Sequence, residues 1–597
     1  MGPETRNCQN CKSDFVIEPE DFRFYEKMQV TAPTFCPKCR LQRRLTFRNE
    51  RSLYRRKCDS CGKDIIAMHD PEGPIHSYCG PCWWSDKWDP LSYGKEYDFS
   101  KPFFTQLREL MEEVPHQDLV TIYSSLVNTS FTNMNHELKN CYWLFNSDYD
   151  ENCFYGEEVE KSKDCMDVTM VENSELIYGS LNCSKCYQAY FSVDCASSNN
   201  VWFSKNLLNC SNCFGCVNLR GAQYCIWNEQ LNKEEYLRRI SEMELGSRSS
   251  ISQTKDKAEK FWLGFPNKYI HGFRNNNVTG DYVYDSREVK NSHIVNGSEY
   301  CRYCLWLILP GNKDCYDLTQ FGENCERVYE AMSCGLGASN LIGGINSVEG
   351  KNLFYTMFCG NSNDLFGCLS LRSKKYCILN KQYTKEEYEE LLPKIKDHMN
   401  TMPYVDKAGR AHYYGDFFPT EISQFKYNET SAQEFFPLTE DDARKAGYDW
   451  RPSRERSYTV EITRKDIPDN ISEVGDDIVG KTIECSHVVT GGYMHNCSTA
   501  FRIIPQELQF YRRNNLPLPD LCPNCRHAER ALSHRTPIQL WNRKCQCAGS
   551  GSNNGRYANT GKHSHGLESC MADFETSYAP DRLEIVYCEA CYQNEVA

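Results

Sequence analysis

Residues 15–40, FVIEPEDFRFYEKMQVTAPTFCPKCR, align without a gap to residues 501–526, FRIIPQELQFYRRNNLPLPDLCPNCR, with ten of 26 positions identical. Whatever folds at one end of this chain must therefore also fold at the other. Further on, Arg56-Lys57-Cys58 matches Arg543-Lys544-Cys545. Tyr78-Cys79-x-x-Cys82 then matches Tyr587-Cys588-x-x-Cys591 across a longer C-terminal insertion. A second duplication lies inside: residues 214–236 and 366–388 share 14 of 23 positions at a constant offset of 152. Each inner copy runs into a charged helical pattern, near 231–245 and 384–400.

These repeats divide the 597 residues, a length that at roughly 150 residues per domain predicts about three to five domains. The expected order is a tandem zinc-ribbon module over 1–95, a helical connector over 96–124 and a repeat domain over 125–228. A second helical connector follows over 229–275, with a second repeat domain over 276–380. A helix and wrapping linker over 381–478 lead to a degraded ribbon module over 479–597. Within 125–228, short aromatic or branched runs recur every 10–15 residues, separated by Asn, Asp, Ser or Gly. That spacing predicts stacked short strands, a β-solenoid, with a β-sandwich as the alternative. Two strands per coil would give a coil of about 23 residues and a block of four coils, about 20 Å long. The fold class expected is multidomain and mainly β.

Thirty-five cysteines carry most of the chemistry. Cys8-x-x-Cys11 with Cys36-x-x-Cys39, and Cys58-x-x-Cys61 with Cys79-x-x-Cys82, each bring two tight turns to one ion. Four thiolates complete a closed tetrahedron of the structural zinc type. In the C-terminal copy, Cys497, Cys522 and Cys525 keep their places, but Met494 stands where Cys8 would be. His495, Cys485 and His487 are the candidates for the fourth ligand, or the site is lost. The last quartet reads Cys545, Cys547, Cys588 and Cys591, with His563, His565 and Cys570 in its insertion able to supplement or replace a ligand. Three to four zinc ions are expected. The single cysteines of the repeat domains are read as a ladder of small buried residues. The closer sets Cys183/Cys186, Cys210/Cys213/Cys216 and Cys301/Cys304 are candidates for further metal.

The net charge of −13 excludes a generally basic nucleic-acid coat, but the charge is uneven. Residues 40–57 carry +7 and residues 501–547 carry +5, which leaves −25 on the rest of the chain. Arg40, Arg43, Arg44, Arg48, Arg51, Arg55 and Arg56, interleaved with Phe47 and Tyr54, form a set suited to phosphate and exposed bases. Arg526 and Arg530, with Arg512, Arg513 and Arg543, make a second, weaker set. The competing view places Phe47, Leu53 and Tyr54 in the ribbon core and pairs some arginines with the acidic repeats.

The run CPKCRLQRRLTFRNERSLYRRKCDSCGKDI, then YCGPCWWSDKWDP, then the NCFGCVNLR…YC motif, resembles a group of uncharacterised Cys-rich zinc-ribbon proteins. These are predicted from candidate-phylum bacteria and giant viruses, and the likeness covers most of the chain. It implies the architecture above and no activity. No Walker loop, HExxH helix or nucleophile elbow stands out, and GLGASNLIGG at 335–344 lacks the strand–helix setting of a dinucleotide loop. The expectation is a non-enzymatic, zinc-stabilised binding protein whose ribbons contact nucleic acid, RNA or a ribosome above all. The alternative is a structural or protein-interaction scaffold, for example an assembly or virion component, to which Trp83, Trp84 and Trp88 could anchor a partner. No stretch is apolar enough for a membrane span, Arg6 breaks a myristoylation signal, and no apolar signal-peptide core follows Met1. A cytoplasmic protein is expected, or one of the virion or viral factory if viral.

Overall fold

In the computed structural model, residues 2–323, 326–452, 458–490, 497–535 and 537–596 are described. The fold is mainly β: two β-solenoids fill the centre, helices join them, and a Cys-rich ribbon module sits at either end of the chain.

The first solenoid is built from triplets. From Asn128 to Asn228, nearly every third residue has φ between +48° and +64°. The residue after it points inward, and the next joins a parallel ladder. Four triplets close one coil, so partners lie 12 residues apart: Asn199 pairs Ser211, which pairs Gln223. The coil is therefore 12 residues rather than 23. Residues 127–226 make about eight coils, roughly 40 Å at 4.8 Å each, twice the expected length. A left-handed residue at each corner costs about 1 kcal/mol unless something repays it. Here side chains at equivalent corners bond up the stack, as Asn128 Nδ2 to Asn140 Oδ1 (2.9 Å), Asn140 to Asn152 (3.1 Å) and Asn152 to Asp164 (3.1 Å).

The interior of this narrow coil is filled mainly by Cys, Ser, Ala and Val, with Leu138, Leu144, Ile177 and Leu207 among them. Cys141, Cys153, Cys165, Cys183, Cys186, Cys195, Cys210, Cys213, Cys216 and Cys225 all sit at inward positions, and all are buried. Their thiols donate to corner carbonyls, as Cys165 Sγ to Lys163 O at 3.2 Å. Ser180 and Ser192 do the same with Oγ. The close sets are consecutive inward triplet positions: Cys186 donates to Ser184 O and Cys195 O, and Cys210 to Leu208 O and Leu219 O.

The second solenoid runs from Gly272–Phe273 to Lys375–Ile378. Its opening rung spans 11 residues (Gly272↔Val283), the next and the last ones keep the 12-residue register, but middle partners lie 13 or 14 apart, as Val328↔Leu341 and Ser298↔Asn312. Insertions at corners account for its weaker sequence period. GLGASNLIGG lies in the strand Met332–Ile345, within a ladder and not at a phosphate loop. Both solenoids finish alike. Strands Gln223–Ile226 and Lys375–Ile378 turn back on Glu229–Gln230 and Lys381–Gln382, then enter helices Lys233–Ser241 and Lys385–Thr401. At the turn, Asn228 and Asn380 make the same pair of backbone bonds, to Val217 and Leu369.

Each ribbon module has two halves, and the halves do different work. The second half caps the start of a solenoid through a parallel strand pair: Ser77–Tyr78 on His116–Gln117, and Ile585–Tyr587 on Pro266–Lys268. The first half crosses to the other solenoid. Phe24 and Tyr25 pack on Tyr316 and Tyr329, while Phe510 and Tyr511 pack on Tyr178. The two largest apolar cores are thus each shared between one module and the solenoid distant from it in sequence. The segment after Thr401 straps these cores, burying Phe417 and Phe418 in one and Ile471 and Ile478 in the other.

Candidate metal centres and arginine clamps

Four cysteine quartets form on one plan. In each, a two-stranded hairpin carries the first two thiols: the first Cys follows the outgoing strand directly, and the second stands three residues before the return strand. The hairpins are Glu4–Asn7/Asp14–Ile17, Tyr54–Lys57/Asp64–Ala67, Ile483–Glu484/Ala500–Phe501 and Trp541–Lys544/Asp573–Thr576. The third Cys opens a helix, which aims free backbone N–H groups and the positive dipole end at the thiolates. Its own N–H donates to the first thiol at 3.2–3.3 Å in all four quartets: Cys36 to Cys8, Cys79 to Cys58, Cys522 to Cys485 and Cys588 to Cys545.

Within each quartet the ligand atoms lie within 4.8 Å of one another. Sulfur pairs of 3.8 Å (Cys11–Cys36, Cys570–Cys588), 3.9 Å (Cys61–Cys79) and 4.0 Å (Cys497–Cys522) match the edge of a tetrahedron with about 2.3 Å metal–sulfur bonds, far from a disulfide. Thiol hydrogen bonds from Cys36 and Cys39 hold Cys8 well below the ordinary thiol range, and Cys485, Cys497 and Cys525 do the same for Cys522. In each of these two quartets one thiol is thus set to lose its proton before its neighbours.

The two N-terminal quartets gather the eight cysteines expected. In the third, Cys485 joins Cys497, Cys522 and Cys525, and takes the structural place of Cys8. His487 faces Glu529 at 3.4 Å instead. Met494 and His495 lie outside the described residues. In the fourth quartet Cys570, one of the residues expected to supplement or replace a ligand, takes the second place beside Cys545, Cys588 and Cys591, standing before its return strand as Cys61 does. Cys547 groups with His563, His565 and Cys591.

The arginine set requires correction. Arg40, Arg43, Arg44 and Arg48 are at most 2% exposed, and Arg526 and Arg530 at most 8%. None of these six can meet a phosphate. Helix Pro37–Leu45 lays Arg40 and Arg44 on the Asp317 carboxylate at 2.9 and 3.3 Å, while Arg43 clamps both oxygens of Glu330 at 2.7 Å. Arg48 pairs with Glu50 and donates to Ser333 Oγ. Burial weakens the basicity of Arg40 and Arg44; Asp317 more than restores it for Arg40 but not for Arg44. The equivalent helix, Pro523–His534, sets Arg526 and Arg530 on Asp167 at 2.7 and 3.4 Å. Arg51 reaches Glu157 at 3.2 Å and Arg56 reaches Asp59 at 2.9 Å. Arg55 is exposed, its guanidinium 5.6 Å from the Phe131 ring. Arg512 and Arg513 are exposed beside Asp476 and Asp164, and Arg543 donates to the carbonyls of Tyr578 and Ala579. Phe47 packs on Phe417 and Phe418, and Trp83 is buried under Arg372, whose guanidinium lies 3.8 Å from its ring.

Two cavities, one beside Tyr282 and His293 and one beside Arg43 and Arg410, each hold about 10 Å³, space for about one water. No helix among the described residues is long and apolar enough to cross a membrane.

No family model matches this chain, and no curated protein does. Among solved structures, a "putative acetyltransferase" from Desulfovibrio desulfuricans G20 aligns at 10% identity over 44% of this chain and 68% of its own, with a TM-score of 0.10. A likeness that slight carries no argument about fold or activity.

Proposed function

We propose that this protein is a non-enzymatic scaffold whose two solenoids are locked together by zinc-stapled ribbon modules. The observation that carries this reading is the fate of the arginines: both Cys-Pro-x-Cys-Arg helices spend their guanidinium groups on buried solenoid acids. The modules thereby serve as internal clamps. Zinc suits all-thiolate tetrahedra, and four sulfur ligands leave no position for activating water, which supports structure over catalysis. Unpaired thiols and metal thiolates belong in a reducing compartment, the cytoplasm or a viral factory. The solenoid faces and exposed Trp84 would then take a protein partner or a larger assembly.

Two measurements on the full chain test this. Elemental analysis should find zinc at one ion or more per quartet, lost stepwise as quartets are broken. Protein purified at low salt should carry no RNA or DNA. Retention that falls steeply with salt, and is lost on changing Arg55 and Lys57 to Glu, would restore the nucleic-acid reading in place of the scaffold.

A further inference from the structure

We propose that the C-terminal module holds a second metal ion beside the one in the Cys545/Cys570/Cys588/Cys591 quartet, the two sharing the Cys591 thiolate. This rests on the reading that the quartet itself binds a divalent ion. The second ligand set is Cys547, His563, His565 and Cys591, whose ligand atoms also lie within 4.8 Å of one another.

Both imidazoles are already oriented for it. A ligating histidine is ordinarily fixed by a hydrogen bond from its other ring nitrogen to a carboxylate or carbonyl. The His563 side chain is fully buried, and its Nε2 meets Glu595 Oε1 at 2.7 Å. Its Nδ1 is buried with no hydrogen-bond partner, an orphan that a metal ion would satisfy. Glu595 is held in turn by Tyr557 Oη (2.9 Å), Thr560 N (2.7 Å) and Gly561 N (3.1 Å). His565 uses Nδ1 on the Glu568 carbonyl at 2.7 Å, which leaves Nε2 facing Cys591 Sγ at 3.3 Å. Cys547 accepts from Asn559 Nδ2 at 3.2 Å, and Asn559 is set by the Tyr587 hydroxyl at 2.8 Å. Cys547, His563 and His565 thus each have a supporting partner outside the set.

Charge favours the pair as well. One divalent ion in four thiolates leaves a site at −2. Two such ions among five thiolates and two neutral imidazoles leave −1, so the second ion offsets the charge of the first. The long insertion between Cys545 and Cys570 supplies Cys547, His563 and His565. That is its purpose on this view. Two nitrogen and two sulfur ligands close the second tetrahedron, as in structural zinc sites.

Cobalt(II) loaded in place of zinc into the full wild-type chain provides the test. High-spin ions bridged by one thiolate couple antiferromagnetically, so the paramagnetic resonance spin count should fall short of the cobalt content by about two. A Cys547→Ser,His563→Asn variant should bind one ion fewer, with its spin count equal to its metal content. A wild-type spin count equal to its metal content would overturn the shared site, and this outcome needs no variant to fold. Cys588→Ser separates the two readings. If it lowers metal content while wild-type spins remain uncoupled, only the second ion is refuted. If it leaves metal content unchanged, the quartet fails and the pair fails with it.

Discussion

One residue type does two jobs in this chain, and substitution should tell them apart. Cys165 donates its thiol proton to a corner carbonyl inside the solenoid, as Ser180 and Ser192 do with their hydroxyls. Cys165→Ser should therefore change stability by no more than about 1 kcal/mol and leave the metal content intact. Cys36→Ser should lose one metal equivalent and loosen the N-terminal module, measured by elemental analysis and hydrogen exchange. Glycines divide the same way. Gly215 (φ +67°) lies against the Trp227 ring, where any Cβ would collide, whereas Gly221 (φ +61°) has open space around it. Gly221→Ala should cost about 1 kcal/mol for backbone conformation alone. Gly215→Ala should cost about 1–3 kcal/mol more, because the indole must move. Equal denaturation midpoints for the two variants would contradict this account.

Between elements, buried charge decides. Asp317 is shared by Arg40 and Arg44, so Asp317→Asn leaves Arg40 without its carboxylate and Arg44 with Glu330 alone, at 3.9 Å. A loss of about 3–5 kcal/mol is expected, read as faster hydrogen exchange over residues 19–45. A second junction responds to acid. His69 Nε2 and His116 Nδ1 meet the two ends of the Gln424 side chain at 2.9 and 3.1 Å, joining ribbon, connector and strap. Burial lowers His69 to about 3 and His116 to about 4. Above pH 6.5 both states are neutral; between about 6.5 and 4 only the unfolded chain takes up protons, so stability falls as pH falls. A His69→Gln,His116→Gln variant should gain on wild type by about 1.4 kcal/mol per histidine for each pH unit below 6.5. The duplications and the first two quartets were legible because CxxC spacing and a constant offset survive without knowledge of the fold. Cys570 was legible only as a possible replacement: Cys-x-x-Asp recurs at Cys11, Cys61 and Cys570, but proximity to Cys545 put Cys547 first. The 12-residue coil left a trace too, in cysteines spaced by multiples of three from Cys141 to Cys225. It was masked because ladder bonding lets Trp143, Tyr155 and Leu176 occupy left-handed corners that composition rules reserve for Asn and Gly. That some arginines pair with the acidic repeats was legible as the competing view; which carboxylates they meet was not, because Asp317, Glu330 and Asp167 lie hundreds of residues away.

At the scale of the molecule, the metal quartets lie in the modules while the ladders hold the solenoids. Treatment with a strong chelator should release the modules and bare the aromatic docks around Tyr316, Tyr329 and Tyr178. Far-ultraviolet dichroism should then keep its β signal while light scattering rises; a monomer with protected modules would refute this. The crossed docking also sets a clock. Arg40 is separated from Asp317 by 277 residues, and Arg526 from Asp167 by 359. At about 5–20 residues per second, the N-terminal arginine helix emerges from the ribosome roughly 14–55 s before its acid exists. Asp167 waits longer still, in a finished solenoid whose flank stays open until the last module is made. During synthesis the protein is a sequence of half-docked surfaces, and only the final hundred or so residues complete its interior.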